Sequence, residues 1–231
     1  MKTISLLGST GSIGASSLSV VRQHADSYRV SALVAGSNLD QAIKDALEFR
    51  PDVVAIADET KATELKQALS GQPTQVLAGR AGVIEAASYP SDICVSAITG
   101  FAGLEPTLAA LPNTKRLALA NKESLDCAGP LVKSLADAKG VEILPVDSEH
   151  SAIYQCLHEQ PRAKLRKVVL TASGGPFRTW AKAEIDRAGP EQALAHPNWD
   201  MGAKVSIDSA SLMNKALEFI EALYLFDLLP E

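Results

Sequence analysis

A glycine-rich segment, Gly8-Ser-Thr-Gly11-Ser-Ile-Gly14, follows the first apolar run of the chain and precedes a stretch with helical periodicity. Glycines permit a tight turn and a close approach of the backbone to a ligand, and a helix N-terminus offers free N–H groups and partial positive charge. These features suit a pyrophosphate. The spacing is GxxGxxG instead of GxGxxG, and a plain strand-to-helix turn has a similar composition. We predict a dinucleotide site here.

The end of the second predicted strand distinguishes two dinucleotides. A carboxylate at this place would bind the ribose 2′-hydroxyl of NAD. The chain reads Ala35-Gly36-Ser37-Asn38, with no carboxylate before Asp40. This favours NADP, with Ser37 as a modest anchor for the 2′-phosphate where Arg or Lys would be more telling.

Two carboxylates, Asp147 and Glu149, follow the seventh predicted strand in the segment Pro145-Val-Asp-Ser-Glu-His150. Residues two apart on an extended chain project to the same side, so both would present hard oxygen ligands of the kind that Mg²⁺ or Mn²⁺ prefers. A structural role fits equally well, because Asp147 or Ser148 could cap a following helix. The spacing leaves both interpretations open.

The segment from Leu212 to Phe226 predicts a helix in which eleven of fifteen residues are apolar, and such a helix is expected to be mostly buried. Ser211, Asn214, Lys215 and Glu218 recur at three- and four-residue spacing and share one face. On an exposed helix this face would meet solvent. On a buried helix it lines a site, with Asn214 and Lys215 suited to an anion and Glu218 to a metal.

Three further segments carry weaker signals. Asn121-Lys122-Glu123 follows the sixth predicted strand, where α/β proteins bind ligands, although a charged loop tip is common there. The segment Thr171 to Gly175 is glycine-rich enough to bind phosphate or merely to turn. The segment His196 to Met201 lies in a stretch of few apolar residues, residues 177–204, which is typical of a linker or a functional lid; we predict a lid because the segment carries an aromatic ring and an imidazole.

Short β-branched runs alternate with helical stretches over the first 146 residues, a pattern typical of a doubly wound, Rossmann-like parallel sheet. Seven strands are predicted: Ile4–Leu7, Arg29–Ala35, Val53–Ala57, Gln75–Leu77, Ile93–Ala97, Arg116–Ala120 and Glu142–Val146. Helices are predicted to begin near Ser12, Leu39, Lys61, Arg80, Leu104 and Cys127. The pattern then changes, and residues 147–231 are predicted to begin an α+β catalytic domain with a strand at Val168–Thr171.

Composition excludes several classes of function. The 231 residues carry a formal net charge of −5 and have no basic run, which argues against nucleic-acid binding. Apolar stretches reach only about five residues, far below the ~18 of a membrane span, and no signal peptide is recognised. Three cysteines without a CxxC pair fit small buried hydrophobes in a reducing compartment. We predict a cytoplasmic protein.

Six of these stretches together resemble the 1-deoxy-D-xylulose 5-phosphate reductoisomerase family, in the family's order. They are GSTGSIG at Gly8 to Gly14, LANKES at Leu119 to Ser124, LPVDSEH at Leu144 to His150, SGGPF at Ser173 to Phe177, HPNWDMG at His196 to Gly202, and SIDSASLMNKALEFIEA at Ser206 to Ala222. The resemblance covers nearly the whole chain. It implies an NADPH domain at 1–146 and a catalytic domain at 147–231.

The resemblance also implies roles for individual residues. The positions that would bind NADPH are Thr10, Gly11, Ser12, Ile13, Gly36, Ser37, Asn38, Asn121 and Glu123. The positions that would hold Mg²⁺ or Mn²⁺ are Asp147, Glu149 and Glu218, which together with Lys122 form the expected catalytic set. The positions that would contact substrate are Lys122, Ser148, Glu149, Ser173, His196, Ser209, Asn214, Lys215 and Glu218. Trp199 and Met201 would lie on the family's mobile loop.

The reaction implied is metal-assisted rearrangement of 1-deoxy-D-xylulose 5-phosphate and reduction by NADPH to 2-C-methyl-D-erythritol 4-phosphate, in non-mevalonate isoprenoid biosynthesis. Family members continue well beyond residue 231 and dimerise, so we expect this chain to be a truncated form of uncertain activity. Two alternatives stay open: a non-catalytic NADPH-binding remnant, and a plain NADP-dependent reductase of a phosphorylated aldehyde. The Asp-Ser-Glu segment argues against the second.

Overall fold

Seven short apolar runs of the chain form one parallel sheet. The computed structural model of the protein describes residues 1–198 and 201–229. The strands are β1 (Lys2–Leu7), β2 (Tyr28–Ala35), β3 (Val53–Ile56), β4 (Gln75–Ala78), β5 (Ser91–Ser96), β6 (Thr114–Leu119) and β7 (Glu142–Pro145). All seven were predicted to within two residues at each end, because the strands of a parallel sheet covered by helices are rich in apolar and β-branched residues.

The strands lie in the order β4-β3-β2-β1-β5-β6-β7, and every pair of neighbours is parallel. The order reverses at β1, which pairs with β2 on one side and with β5 on the other. Such a reversal opens a crevice at the carboxyl ends of the central strands, where doubly wound sheets bind ligands. The predicted Rossmann-like fold class is therefore confirmed.

Six helices connect these strands: α1 (Ser12–Gln23), α2 (Leu39–Phe49), α3 (Ala62–Ala68), α4 (Gly79–Ala87), α5 (Leu104–Ala110) and α6 (Glu123–Lys139). Leu18 and Val21 of α1 and Leu65 of α3 pack with Leu6 and Leu33 of the sheet in one buried cluster. Each fully buried aliphatic side chain of this kind contributes about 1.5–3 kcal/mol. The cluster fixes the sheet and the loops that leave its carboxyl edge.

The amino edge of the sheet carries a polar link between three strands. Asp92 of β5 accepts hydrogen bonds from the backbone N–H of Thr3 in β1 at 2.8 Å and from the Lys115 ammonium of β6 at 2.7 Å. The Lys115 ammonium, aided by Thr3, lowers the pKa of Asp92 to about 2. This edge lies opposite the carboxyl ends, so the link stabilises the sheet without belonging to the predicted sites.

The chain divides into two compact units, Met1–Asp147 and Ser148–Glu231. The described residues of the second unit form five α-helices: α7 (Ser148–Leu157), α8 (Lys182–Ile185), α9 (Pro190–Leu194), α10 (Ala203–Ala210) and α11 (Met213–Phe226). No strand occurs among its described residues, so the prediction of a strand at Val168–Thr171 is wrong. An extended segment becomes a strand only beside a hydrogen-bonding neighbour, and Val169 is 68% exposed instead.

Three further predictions need correction. Helix α6 begins at Glu123 and not near Cys127, because a kink at Ala128, two residues before Pro130, interrupts its helical pattern. Cys94 is buried as expected, but Cys127 and Cys156 are exposed. Both lie on the solvent-facing side of a helix, and the overall apolar content of the sequence does not predict which side of a helix faces solvent.

The prediction that the last helix is mostly buried is also wrong. Met213 and Phe219 of α11 are about half exposed, while its buried positions include Glu218 and Glu221. The number of apolar residues in the helix does not show which of its faces packs against the rest of the protein. Within the residues that the structure describes, no helix is long and apolar enough to cross a bilayer.

Candidate functional site

The loop between β1 and α1 is held against the sheet by backbone contacts. The N–H groups of Gly8 and Ser9 both donate to the carbonyl of Val34 in β2 at 2.8 Å. A Cβ atom on Gly8 would lie 2.6 Å from the carbonyl oxygen of Ala97, and one on Gly14 would lie 2.2 Å from that of Ser9. Both positions therefore require glycine for close packing, as the motif predicted.

Helix α1 begins directly behind this loop. Gly11 occupies its N-cap position, no side chain caps it, and its first turn contains no acidic residue. The first N–H groups of a helix have no partner within the helix. The segment Thr10, Gly11, Ser12 and Ile13 thus offers an uncapped helix N-terminus and partial positive charge to an anion.

The neighbouring strand β2 ends in the other part of the predicted nucleotide site. Gly36, Ser37 and Asn38 are exposed at its carboxyl end. The Asn38 side chain accepts a hydrogen bond from the Gln41 N–H at 3.2 Å and so caps α2. Gln41 itself donates to Asp45 at 2.7 Å, so the reciprocal half of a capping box is not formed.

Asn121 follows β6 and is buried at 1% exposure. Its side-chain amide donates toward the carbonyls of Ile98 and Gly100, at 2.7 and 2.9 Å, and toward the carboxylate of Glu123 at 3.0 Å. These contacts tie the loop after β5 to the start of α6. Asn121 and Glu123, both predicted to contact the nucleotide, are therefore hydrogen-bonded to each other at the edge of the crevice.

Lys122 and Asp147 follow the neighbouring strands β6 and β7 and form an ion pair. The Lys122 ammonium lies 2.5 Å from the carboxylate of Asp147, and the two side chains are only 12% and 18% exposed. Screening by solvent is weak for a pair this enclosed, so the contact holds both groups in place. The sequence placed both residues at the sheet's carboxyl edge but did not predict their contact.

A second charged cluster lies wholly within the second unit. The Lys215 ammonium of α11 donates to the carboxylate of Glu149 in α7 at 2.9 Å and to the carboxylate of Glu218. It also donates to the backbone carbonyl of Thr171 at 2.5 Å. Asn214 donates to the other oxygen of Glu218, and Ser148 donates to Glu149 at 2.5 Å. Asn214, Lys215 and Glu218 of the predicted polar stripe therefore face the protein, whereas Ser211 is exposed and precedes α11.

These contacts govern the charge of the cluster. Burial raises the pKa of Glu149, but hydrogen bonds from Ser148 and Lys215 outweigh it and leave the pKa below its usual value. Burial lowers the pKa of Lys215, but hydrogen bonds to Glu218 and Glu149 outweigh it and leave the pKa above its usual value. The contact with Lys215 thus favours the ionised form of Glu149, and the contacts with Glu149 and Glu218 favour the protonated form of Lys215.

The prediction that Asp147 and Glu149 project to the same side of an extended strand is wrong. Strand β7 ends at Pro145 and α7 begins at Ser148, so Asp147 and Glu149 do not share an extended segment. Glu149 lies in the first turn of a helix, and it meets Glu218 through folding of distant segments instead of through alternation along a strand. The helix expected to follow Asp147 and Ser148 is present as α7.

Two buried residues behind this cluster were not predicted. His150 and Glu221 are both fully buried, with the His150 Nδ1 atom 3.4 Å from the Glu221 carboxylate. The other ring nitrogen, Nε2, donates to the backbone carbonyl of Glu218 at 2.8 Å. Glu221 follows Glu218 by one helical turn and so lies on the same face of α11. This three-residue spacing in an otherwise apolar helix could have identified Glu221 from the sequence.

A third group of predicted residues surrounds the glycine turn of the second unit. Ser173 contacts His196 at 3.1 Å and accepts a hydrogen bond from the N–H of Gly175 at 3.2 Å. Gly174 and Gly175 both have positive φ angles. A Cβ atom on Gly175 would lie 2.6 Å from the Ser209 carbonyl, so this turn packs directly against α10.

The predicted lid, residues 177–204, contains the short helices α8 and α9 and the beginning of α10. Its Phe177 and Trp180 rings lie 4.9 Å apart. Met201 accepts a hydrogen bond from Ser206 at 3.3 Å through its carbonyl. Trp199, which was predicted to lie on the mobile loop, falls outside the described residues.

The parallel sheet with its glycine loop defines the class: a doubly wound, Rossmann-like α/β protein with a second, helical unit that carries an acidic cluster. Sequence comparison then specifies the family. The model of the 1-deoxy-D-xylulose 5-phosphate reductoisomerase family matches residues 4–129, and the model of that enzyme's C-terminal domain matches residues 143–226. The chain belongs to the 1-deoxy-D-xylulose 5-phosphate reductoisomerase family.

Individual relatives agree with this assignment. The chain is 51% identical over all 231 residues to a 1-deoxy-D-xylulose 5-phosphate reductoisomerase of Rhodopseudomonas palustris strain TIE-1, and 50% identical to one of Phocaeicola vulgatus. It spans 57% and 60% of the lengths of these two proteins.

Solved structures of reductoisomerases are similar to the chain over 99% of its length. A complex with NADPH, fosmidomycin and magnesium has a TM-score of 0.91 and 45% identity, and the chain covers 59% of it. A Zymomonas mobilis enzyme in complex with NADPH has a TM-score of 0.91 and 44% identity, again with 59% of that chain covered.

Proposed function

We propose that this protein acts in the NADPH- and divalent-metal-dependent conversion of 1-deoxy-D-xylulose 5-phosphate to 2-C-methyl-D-erythritol 4-phosphate. The observation that carries the proposal is the meeting of Glu149 and Glu218 around Lys215, since these residues come from helices more than fifty residues apart. Burying two carboxylates is costly and persists where it serves a ligand or a reaction. The family assignment supplies the identity of that reaction.

The first unit fits the cofactor. Gly8 and Gly14 keep the loop after β1 free of side chains, and Thr10 to Ile13 present an uncapped helix N-terminus to a pyrophosphate. Gly36, Ser37 and Asn38 would bind the adenosine ribose, and Asn121 and Glu123 would border the site. When bound, NADPH supplies the hydride that reduces an aldehyde.

The second unit fits a hard divalent cation. Glu149 and Glu218 would hold Mg²⁺ or Mn²⁺ together with Asp147, which precedes Glu149 by two residues in the chain. When bound, the metal polarises the substrate's ketone and neighbouring hydroxyl oxygens and orients them for carbon–carbon bond rearrangement. Lys215 lowers the pKa of Glu149 and contacts Glu218, and Lys122 holds the Asp147 carboxylate by the ion pair described above.

The remaining predicted residues would bind the phosphorylated sugar. Ser173, Ser209, Asn214 and Lys215 would hold its phosphate, since hydroxyl, amide and ammonium donors all suit phosphate oxygens. His196 keeps Ser173 in place through their 3.1 Å contact, and Ser148 and Lys122 would contact the sugar. Residues 177–204 would close over the site and exclude water.

Oxidation of NADPH by the purified chain with 1-deoxy-D-xylulose 5-phosphate, with and without Mn²⁺, tests the proposal. We expect oxidation that depends on both the sugar phosphate and the metal. NADPH binding without metal-dependent turnover would instead favour a non-catalytic NADPH-binding protein, and no NADPH binding would contradict the cofactor site itself.

Partner and location remain predictions. We infer a small phosphorylated sugar as the substrate, with a homodimer as in the family, no nucleic-acid or membrane partner and a cytoplasmic location. A net charge of −5 supports the first exclusion. Analytical ultracentrifugation at several protein concentrations measures the oligomeric state, and a purely monomeric chain would contradict the dimer.

A further inference from the structure

The end of β2 lacks a positive charge of its own. Gly36, Ser37 and Asn38 are exposed there, and none is charged. A ribose 2′-phosphate carries roughly two negative charges near neutral pH, and proteins usually meet a phosphate with Arg or Lys. Ser37 alone would offer it one hydroxyl group. The residue that distinguishes NADPH from NADH must therefore be sought on a neighbouring element.

Strand β3 ends beside β2 and leads into a short 3-10 helix, Glu59–Lys61. The N–H of Asp58 donates to the carbonyl of Gly36 at 3.2 Å, which places the start of this helix against the loop after β2. The Lys61 ammonium donates to the carbonyl of Ser37 at 2.5 Å. A cation from β3 thus lies at the residue where β2 provides none.

We propose that Lys61 supplies the positive charge that binds the 2′-phosphate and so sets the preference for NADPH over NADH. The proposal rests on the proposed NADPH site and adds to it a specificity-determining residue. An ammonium group has three N–H donors. The contact with Ser37 uses one of them, which leaves others to reach a phosphate bound next to Ser37.

The nearby carboxylate of Asp58 forms only a weak ion pair with the Lys61 ammonium. Their closest atoms are 3.8 Å apart, and both side chains are about one-third exposed. Exposed pairs of this kind contribute little. Asp58 also accepts hydrogen bonds from the hydroxyl and the N–H of Thr60, at 2.6 and 3.1 Å, so its carboxylate is held toward the start of the helix.

Binding measurements on the full chain test the role of Lys61 without relying on turnover. In the variant Lys61→Gln, we expect the Kd for NADPH and for adenosine 2′,5′-bisphosphate to rise about 10- to 100-fold, the range of a lost charge-assisted hydrogen bond. The Kd for NADH and for 5′-AMP should stay unchanged, because neither carries a 2′-phosphate. Isothermal titration calorimetry gives all four values.

Two further variants make the result specific. Lys66→Gln removes the same charge from an exposed position five residues away, and NADPH affinity should not change. Ser37→Lys introduced into Lys61→Gln should restore the NADPH preference, because the cation returns to the same place. A loss of the NADPH preference in Lys66→Gln would show that net charge alone is responsible.

The outcomes separate this inference from the function on which it rests. A parent chain that binds neither NADPH nor adenosine 2′,5′-bisphosphate overturns both. If the parent chain prefers NADPH and Lys61→Gln keeps that preference, the role of Lys61 is overturned while the NADPH site stands. The same holds if Lys61→Gln raises the Kd of all four ligands equally.

Discussion

The largest fully buried side chains of the first unit are leucines and one isoleucine, whereas those described in the second unit are His150, Glu218 and Glu221. Apolar burial stabilises a fold without any ligand. Buried ionisable groups cost free energy unless they are paired and hydrogen-bonded. The comparison teaches that the first unit is built around an apolar core, with its proposed cofactor residues at the edge of the sheet, whereas the second unit buries charged groups next to residues of the proposed metal site.

The two regions also position their site residues differently. In the first unit, the loops after β1 and β2 are fixed by backbone hydrogen bonds to the sheet, such as those from Gly8 and Ser9 to Val34. In the second, side chains hold side chains, as Lys215 does for Glu149 and Glu218. We therefore expect the loops of the first unit to keep their positions when surface side chains are replaced. The side-chain positions in the second unit should change when one of the charged residues is replaced.

The largest effect is expected from Glu149→Gln, which keeps the shape of the side chain and removes its charge. Because a metal acting as Lewis acid is worth several kcal/mol, turnover should fall about 10³-fold. Mn²⁺ affinity, measured by electron paramagnetic resonance, should fall as well. NADPH affinity should be unchanged, because the residues proposed to bind the cofactor lie in the first unit.

Glu159→Gln is the matched control, since Glu159 belongs to the same unit and its side chain is 85% exposed. It should leave turnover and Mn²⁺ affinity unchanged. Parent-like metal binding in Glu149→Gln would show that the acidic cluster is a structural ion-pair network and that the proposed contrast between the units is wrong.

The apolar core of the first unit is tested by Leu33→Ala. Leu33 is fully buried between β1 and β3, so the free energy of unfolding should fall by about 3–5 kcal/mol. The same substitution at Leu131, which is 55% exposed, should change it by less than about 0.5 kcal/mol. Urea denaturation measures both, and equal losses would contradict the assignment of the core.

Ligands are expected to stabilise the two units separately. At a ligand concentration of about 100 times Kd, the bound region gains about 2.7 kcal/mol. Mn²⁺ should therefore slow amide hydrogen exchange in α7 and α11, and NADPH should slow it in α1 and at the end of β2. Protection of the sheet by Mn²⁺ to the same degree as α11 would remove the distinction between the two regions.

The smallest effect concerns an exposed ion pair of the first unit. The pKa of Asp92 is lowered to about 2, chiefly by Lys115, from an ordinary value of 3.8. The unfolded chain therefore binds this proton more readily, so the stabilisation is present above the ordinary value and is lost as pH falls from about 5 toward 2. The difference in stability between the parent and Asp92→Asn should shrink over this range.

Nuclear magnetic resonance titration of the Asp92 carboxyl provides a direct check. Lys115→Gln should return the pKa of Asp92 toward its ordinary value, because the Lys115 hydrogen bond is the largest cause of the shift. An unchanged pKa in that variant would assign the effect to Thr3 instead.

Local patterns predicted the first unit well, since its strands are short, largely apolar runs and its helices begin near polar caps or glycines. They failed where a feature depends on a partner. The Val168–Thr171 segment has strand-like composition but no neighbouring strand among the described residues. The apolar α11 exposes Phe219 and buries Glu221, because burial depends on which face meets another helix.

The sequence by itself determined the parallel sheet, the glycine loop, the family and the residue types of both sites, because these depend on local composition and on short motifs. Only the tertiary structure decided that Lys215 lies between Glu149 and Glu218, that His150 binds the backbone of Glu218, and that Lys61 reaches Ser37. The contacts of Lys215 with Glu149, of His150 with Glu218 and of Lys61 with Ser37 each join segments more than twenty residues apart. Their geometry follows from how the strands and helices pack, which no spacing within one segment specifies.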